Sequence, residues 1–464
     1  MTPGQDPTTG GVASPTPHSP APEAPRGFVP GGAASKRAIG SWALWDWGSA
    51  AFNAVIVTFV FAPYLTSAVA ADEASGSEAL GIATGLAGLA IALLAPAAGM
   101  RADSSGRHKL WLGVNSALMV LAMLGMFFVR DTPDHLLLGL VLMGVGSVFF
   151  ELGEVSYNGM LTRISTQETA GRISGFGWGM GYFGGLVLLV ILLFTVIQPE
   201  VGLFGATDED GLRYRIVAVA AAAWFAVFAL PVLLFGPKDV PAPVPPELAG
   251  GGVIGWARRA LLGWWAGYRH VVARIVELFR ADRNTFWFFV ASAIFRDGLA
   301  TIFAFAGVIA AGSYGFSGAE VIYLGVAANV VAGLGAVVAG WFDDRFGPKV
   351  VIVVGLVCLI LGAVPIVVTD DKTVFWIAAM WLCLFVGPVQ SSSRAFLSRI
   401  TPPERAGVNF GLYATTGRAV SFIGPMLFTA FIALLGFQRA GALGIAVVLA
   451  VGLVVILFVK SPQR

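Results

Sequence analysis

Long apolar stretches dominate the chain. They run at about 40–69, 79–100, 109–129, 136–160, 173–198 and 214–235, and after a break at about 285–311, 320–341, 349–368, 374–397, 407–435 and 440–459. Each comes close to or exceeds the roughly 20 residues with which a helix crosses a hydrocarbon core of about 30 Å, where no water can satisfy an open backbone. The pattern predicts an all-α integral membrane protein whose twelve transmembrane helices form two pseudo-symmetric six-helix bundles, at 37–236 and 285–460.

The polar segments fill in the plan. Residues 1–36, rich in Pro, Gly, Ser and Thr, read as a disordered tail, with no early basic cluster before a short apolar core as in a signal peptide. The linker, 237–284, opens with a proline-rich run from Pro237 to Pro246. It then places Ile254, Leu261, Trp265, Tyr268, Val272, Ile275 and Phe279 at helical spacing against several arginines, the pattern of an amphipathic helix in the membrane interface. A plain spacer between the bundles is the alternative. Residues 461–464 form a second short tail.

Of the 464 residues, 57% are hydrophobic and 12% charged, against roughly 25% charged in an average soluble domain. That composition excludes a water-soluble enzyme, and a net charge of +2 leaves no basic face for nucleic acid. Position matters more than the total. Lys36, Arg37, Arg101, Arg107, Lys109, Arg163, Arg172, the linker arginines, Arg345, Lys349, Arg394, Arg399, Arg405 and Lys460 fall on one face. Only Arg130, Arg213, Arg215, Lys372 and Arg439 fall on the other. Basic loops stay inside, so both termini are expected in the cytoplasm, in the plasma membrane of a bacterial cell. Cys358 and Cys383 sit in apolar runs and the four histidines outside them, so neither a metal site nor a cofactor is expected. With no G-x-x-x-x-G-K-[ST] loop, ATP is not the direct energy source.

Two segments occur twice. Leu161, Arg163, Ile164, Glu168, Ala170, Gly171 and Gly175 after the fourth span match Leu397, Arg399, Ile400, Glu404, Ala406, Gly407 and Gly411 after the tenth. Gly99, Asp103, Gly106 and Lys109 after the second span match Gly340, Asp344, Gly347 and Lys349 after the eighth. Two six-span units entering from the same side are parallel repeats about an axis along the membrane normal, the plan of major facilitator transporters. In the second motif the glycines allow a tight turn, and Asp103 and Asp344 can face a helix N-terminus or an arginine while one side is closed. Asp103, Arg107, Asp344, Arg345 and Lys349 are therefore candidate gating residues; loop anchoring is the alternative.

The first span, Trp42-Ala-Leu-Trp45-Asp46-Trp47 through Phe52-Asn53, resembles the vacuole-effluxer branch of the major facilitator superfamily. So do Tyr157-Asn158, Gly175 to Gly185 with Trp178 and Tyr182, Arg296-Asp297-Gly298, Gln390-Ser-Ser-Ser-Arg394 and Phe410 to Tyr413 with Gly417-Arg418. That branch comprises bacterial relatives of a fungal vacuolar amino-acid exporter linked to autophagy. The resemblance implies that spans one, four, seven and eleven line a central cavity and that the solute is a small zwitterion.

Charges within spans are costly and are functional candidates by default. Asp46 and Glu151 lie about 9 Å and roughly 10 Å from the basic face, and Arg296, Asp297 and Arg418 near the midplane, counting 1.5 Å per residue. Arg296 and Arg418 would hold a carboxylate, and Asp297 or Asp46 an ammonium group. Adjacent Arg296 and Asp297 cannot both aim at one ligand, so an Arg418–Asp297 pair is expected. Asn53, Tyr182 and Tyr413 complete the candidate substrate site. Glu151 and Glu154, one turn apart, suit proton coupling, with Tyr157 and Asn158 adding polar contacts. Gly177, Gly181 and Gly185 form a packing ridge, and Trp42, Trp45 and Trp47 an interfacial belt. The reading is a monomeric secondary transporter of an amino-acid-like solute with protons as coupling ion. An exporter of amphipathic drugs is the alternative within the fold, and a channel or non-transporting receptor the one outside it.

Overall fold

The computed structural model describes residues 34–240, 269 and 271–462. Among them twelve helices are long and apolar enough to cross a membrane. They are α1 Lys36–Val69, α2 Glu73–Ser105, α3 His108–Phe128, α4 Pro133–Ile164, α5 Ala170–Ile197, α6 Glu209–Phe235, α7 Arg283–Tyr314, α8 Glu320–Phe346, α9 Pro348–Val368, α10 Lys372–Ile400, α11 Pro403–Leu435 and α12 Gln438–Phe458. The expected N-terminal tail and most of the linker's amphipathic stretch lie outside the described residues.

Local chemistry sets the helix starts. The Ser35, Asp72 and Asp282 side chains accept from the backbone N–H groups of Ala38, Ser75 and Thr285, and Asp371 accepts from both Thr373 and Val374. Each satisfies a donor that the first helical turn leaves without a partner. In the repeated loop motif, Gly106 and Gly347 adopt φ of 64° and 92°, where a Cβ is strained.

The helices pack as one scheme written twice. α1 packs on α5 and α6, α3 on α4 and α6, and α2 on α4. The second half repeats this as α7 on α11 and α12, α9 on α10 and α12, and α8 on α10. Between halves, α2 meets α11 and α8 meets α5, again one relation used twice. Phe52, Phe61, Tyr64 and Phe225 fill the core of the first half, and Phe288, Phe295, Phe375 and Phe396 that of the second. Outward-facing Leu86, Leu93, Val227, Leu230, Leu334 and Ile377 are exposed, as a lipid-facing surface allows.

The glycine ridge on α5 lies along α1. Gly181 faces Asp46, and a Cβ built on Gly185 would meet Ala50 and Ala54 at 3.2 Å. Two tryptophans depart from the expected belt. Trp42 and Trp45 are buried, stack on Tyr157, and donate through their indole N–H groups to the Tyr157 carbonyl and the Ser116 hydroxyl, each at 3.0 Å. A ring with an apolar body and one donor is satisfied as well between helices as at an interface.

In the linker, a helix over 271–280 packs Val271 and Leu278 against the second half, while Val272, Ile275 and Phe279 are exposed. Arg405, in the first turn of α11 and just ahead of the buried Ala406, donates to Glu277 at 2.9 Å. That bond, with one from Arg274, holds the Glu277 carboxyl below the usual carboxylate range.

Candidate functional site

The two repeated sequence motifs meet crosswise. The Asp103 carboxylate, at the end of α2, accepts from the backbone N–H groups of Gly407 and Val408 on α11, both at 2.8 Å. The Asp344 carboxylate, at the end of α8, accepts from Gly171 and Arg172 on α5, at 2.8 and 3.2 Å. Each loop motif of one half thus caps the helix that begins within the other motif in the opposite half, and a carboxylate at a helix N-terminus is favoured by the exposed amides and the helix dipole. The glycines permit the approach: a Cβ on Gly99 would overlap the carbonyl of Gly407, and a Cβ on Gly340 that of Gly171.

The two seals differ in their supporting charges. Asp103 also contacts His108 Nε2 at 3.0 Å. Asp344 is joined by Asp343, and Arg399 of α10 pairs with both while exchanging hydrogen bonds with Gln167 in the first half. Arg172 adds a contact to Asp344 at 3.2 Å. Arg107 and Arg345 are exposed. Lys349, expected at the gate, donates instead to the carbonyls of Leu457 in α12 and of Val459 just past its end, at 2.8 and 2.6 Å. It caps a helix C-terminus within its own half, where a cation is favoured.

Away from these seals the halves separate around a cavity of about 1060 Å³. It reaches from a charged floor to Phe59, Val308, Val321 and Phe375 toward the opposite face. Asp46, Asn53, Glu151, Glu154, Tyr182, Arg296, Tyr413 and Arg418 all line it. Asn53 falls in a π-helical stretch of α1, Phe52–Phe59, a wide-turn geometry frequent at functional sites.

The floor charges pair unevenly. Arg418 of α11 pairs with Glu151 of α4, across the halves. Glu154 accepts from the Asn158 side-chain amide at 3.2 Å. Arg296 of α7 stacks its guanidinium 3.8 Å from the Tyr413 ring centre and donates to the Tyr413 carbonyl at 3.1 Å. No carboxylate pairs with Arg296 among the described residues. The Tyr413 hydroxyl is itself held by Ser393 at 2.8 Å.

Residues 161–463 match the family described as Vacuole effluxer Atg22 like. The chain belongs to that family. A Bacillus subtilis protein, the uncharacterized MFS-type transporter YxiO, is 24% identical over 424 residues, which cover 90% of this chain and 93% of that one. Autophagy-related protein 22 of Yarrowia lipolytica is 24% identical over 303 residues, 62% of this chain and 50% of the fungal one. This chain thus spans about half the length of that relative.

Among solved structures, the proton:xylose symporter XylE superposes with a TM-score of 0.68 at 14% identity, covering 92% of this chain and 97% of that one. A bacterial homologue of the iron transporter ferroportin, in an outward-facing state, superposes with a TM-score of 0.65 at 12% identity, covering 91% and 98%. The fold is that of the major facilitator superfamily, and these relatives are transporters, not enzymes.

Two expectations for this effluxer-family site are corrected. Arg418 does not pair with Asp297, because Glu151 holds it. Asp297 does not line the cavity. It accepts from the Gly424 backbone N–H at 2.6 Å, beside the break in α11 where a second helical segment, Ile423–Leu435, begins. A carboxylate answering the free amides of that segment start is used up structurally.

Arg394, counted from sequence among the charges of the basic face at the end of the tenth span, is instead buried between the halves. Its place was visible in one respect: the apolar pattern of α10 continues through Phe396, Leu397 and Ile400, which sets Arg394 more than a turn inside the helix.

Proposed function

We propose that the chain carries a small zwitterionic, amino-acid-like solute across the plasma membrane of a bacterial cell by alternating access, coupled to protons, with both termini cytoplasmic. The carrying observation is that the cavity offers a cation and an anion from opposite halves. Arg296 of α7 presents guanidinium donors with no carboxylate partner among the described residues, and Glu154 of α4 has a neutral amide as its partner. A carboxylate on Arg296 and an ammonium on Glu154 would span the seam, so such a ligand favours the state in which the halves close on it.

In this reading the crosswise Asp103 and Asp344 seals close the cytoplasmic side, and the cavity faces outward. Glu151 and Glu154 carry the proton. The family's description as effluxers supports export as the direction.

The apolar upper wall, with Phe59, Phe303, Leu382 and Ile445, favours a second reading, export of amphipathic compounds. Purified protein in proteoliposomes decides between them. Saturable flux of a labelled amino acid, accelerated by a pH gradient, is expected. Hits that are all neutral and apolar in a metabolite thermal-shift screen would sink the zwitterion reading, and flux that never saturates would point to a channel.

A further inference from the structure

Arg394 is the most buried arginine among the described residues, with 3% of its side chain exposed. It belongs to α10 in the second half, yet its guanidinium is held by the first. Its Nε donates to the Ser174 hydroxyl at 2.9 Å, and one terminal nitrogen donates to the Ser174 carbonyl at 2.7 Å. The other terminal nitrogen donates to Asn158 at 3.2 Å and to the Asp46 carboxylate at 3.3 Å. Trp42, Tyr157 and Trp178 surround it, with ring centres 5.1, 5.7 and 5.5 Å from the guanidinium carbon. One side chain therefore ties α10 to α1, α4 and α5 through four hydrogen bonds, one more than the three donors of an ammonium could make.

The ties are unequal. Ser174 and Asn158 are neutral, whereas Asp46 is the charged partner and, on the cavity wall beside Asn158 and Arg394, keeps 18% of its side chain exposed. The Tyr157 hydroxyl donates to the same Asp46 oxygen at 2.8 Å. The carboxylate that neutralises Arg394 is thus the one that cavity contents can reach. A buried guanidinium that loses its counter-charge is poorly tolerated.

Resting on the alternating-access reading, we infer that Arg394 is a latch between the cavity and the seal. A cationic group arriving at Asp46 from the cavity takes that carboxylate from Arg394 and releases the second half from the first. Asp46 is free to bind such a group only when the latch is open, and that difference lets cavity occupancy shift the conformational balance. Losing one charge-assisted hydrogen bond at this site corresponds to a shift of about tenfold or more.

Two thiols in the detergent-purified full chain read the two ends of this motion. Native Cys383 lines the cavity and, with Cys358→Ser, reports the outer side. Ala406→Cys, in a chain carrying Cys358→Ser and Cys383→Ser, reports the seam, because Ala406 is fully buried and its Cβ is the α11 atom nearest Gly159 of α4.

Arg394→Gln should raise the labelling rate at the Ala406→Cys thiol by about tenfold or more and lower that of Cys383. Asp46→Asn should move both rates the same way, and the double variant should add nothing to Arg394→Gln. Arg394→Lys should fall between parent and Arg394→Gln. Should Arg394→Gln fail to fold, Asp46→Asn alone decides, since it keeps the size and the Tyr157 contact. Rates within twofold of the parent in a monodisperse variant overturn the latch, as do rates that rise together at both thiols. Because the readout is conformation and not flux, a wrong assignment of the solute leaves this test intact.

Discussion

The guanidinium of Arg418 and the carboxylate of Glu151 close an ion pair from α11 to α4, across the seam and on the wall of the central cavity. Each partner neutralises a charge that the membrane interior would otherwise expel. Arg418 is partly open to the cavity, so the pair contributes only about 1 kcal/mol to stability. Under the proposed function its larger role is in transport. Glu151→Gln and Arg418→Gln should each reduce proteoliposome flux, and the exchange of both (Glu151→Arg with Arg418→Glu) should recover a substantial part. An exchange variant as inactive as either single change, yet equally thermostable, would show that the two groups act separately.

The Arg296 assignment makes a prediction about affinity. Arg296→Ala removes charge, fork and Tyr413 stacking together, and the loss of a charged hydrogen bond, about 1.5–3 kcal/mol, should raise KM for a zwitterionic solute by roughly 10- to 100-fold. Arg296→Lys keeps the charge but not the fork and should recover only part of that loss. An unchanged KM in both would remove Arg296 from the substrate site.

Asp103 accepts from two backbone amides near the start of α11, those of Gly407 and Val408. Asp103→Ala removes a cap of about 1 kcal/mol. Hydrogen exchange measured by mass spectrometry should then quicken about fivefold over 406–410. Asp344→Ala should do the same over 171–175 and leave 406–410 alone. Unaltered exchange in either peptide would mean that the corresponding carboxylate does not hold the seam.

Close approach at the seam has its own test. Gly99→Val places side-chain atoms where the Gly407 carbonyl now lies, an overlap costing about 1–3 kcal/mol in a packed interface. The sealed conformation should lose ground, and Cys383, on the cavity wall, should label several-fold more slowly with a bulky thiol reagent. Gly85→Ala, whose Cβ meets nothing within 4 Å, is the control and should label at the parent rate.

Much of this was legible in the amino-acid order. The twelve spans follow from apolar length alone, and the duplicated motifs gave the two-fold plan. What the order of residues could not supply was partnership. Asp103 and Gly407 are 304 positions apart, and only the packing of α2 on α11 shows that the two repeated motifs are each other's targets. Pairing of the buried charges failed for the same reason. Depth grouped Arg418 with Asp297 near the midplane and set Glu151 nearer the basic face, but which carboxylate faced which guanidinium depended on helix rotation and on the break in α11 that claims Asp297. Arg394 was misplaced because a charge near a helix end is ordinarily a loop charge, and here the neighbouring half supplies its solvation.

The crosswise arrangement of the seals has a consequence for how such a molecule can arise and change. Each seal takes its acid from one copy of the unit and its amides from the other, so two identical six-helix chains meeting about the same axis would form both joints from a single blueprint. Fusion into one polypeptide keeps the joints and frees the copies to drift apart, as His108 beside Asp103 and Asp343 beside Asp344, where the first half has Ala102, already have.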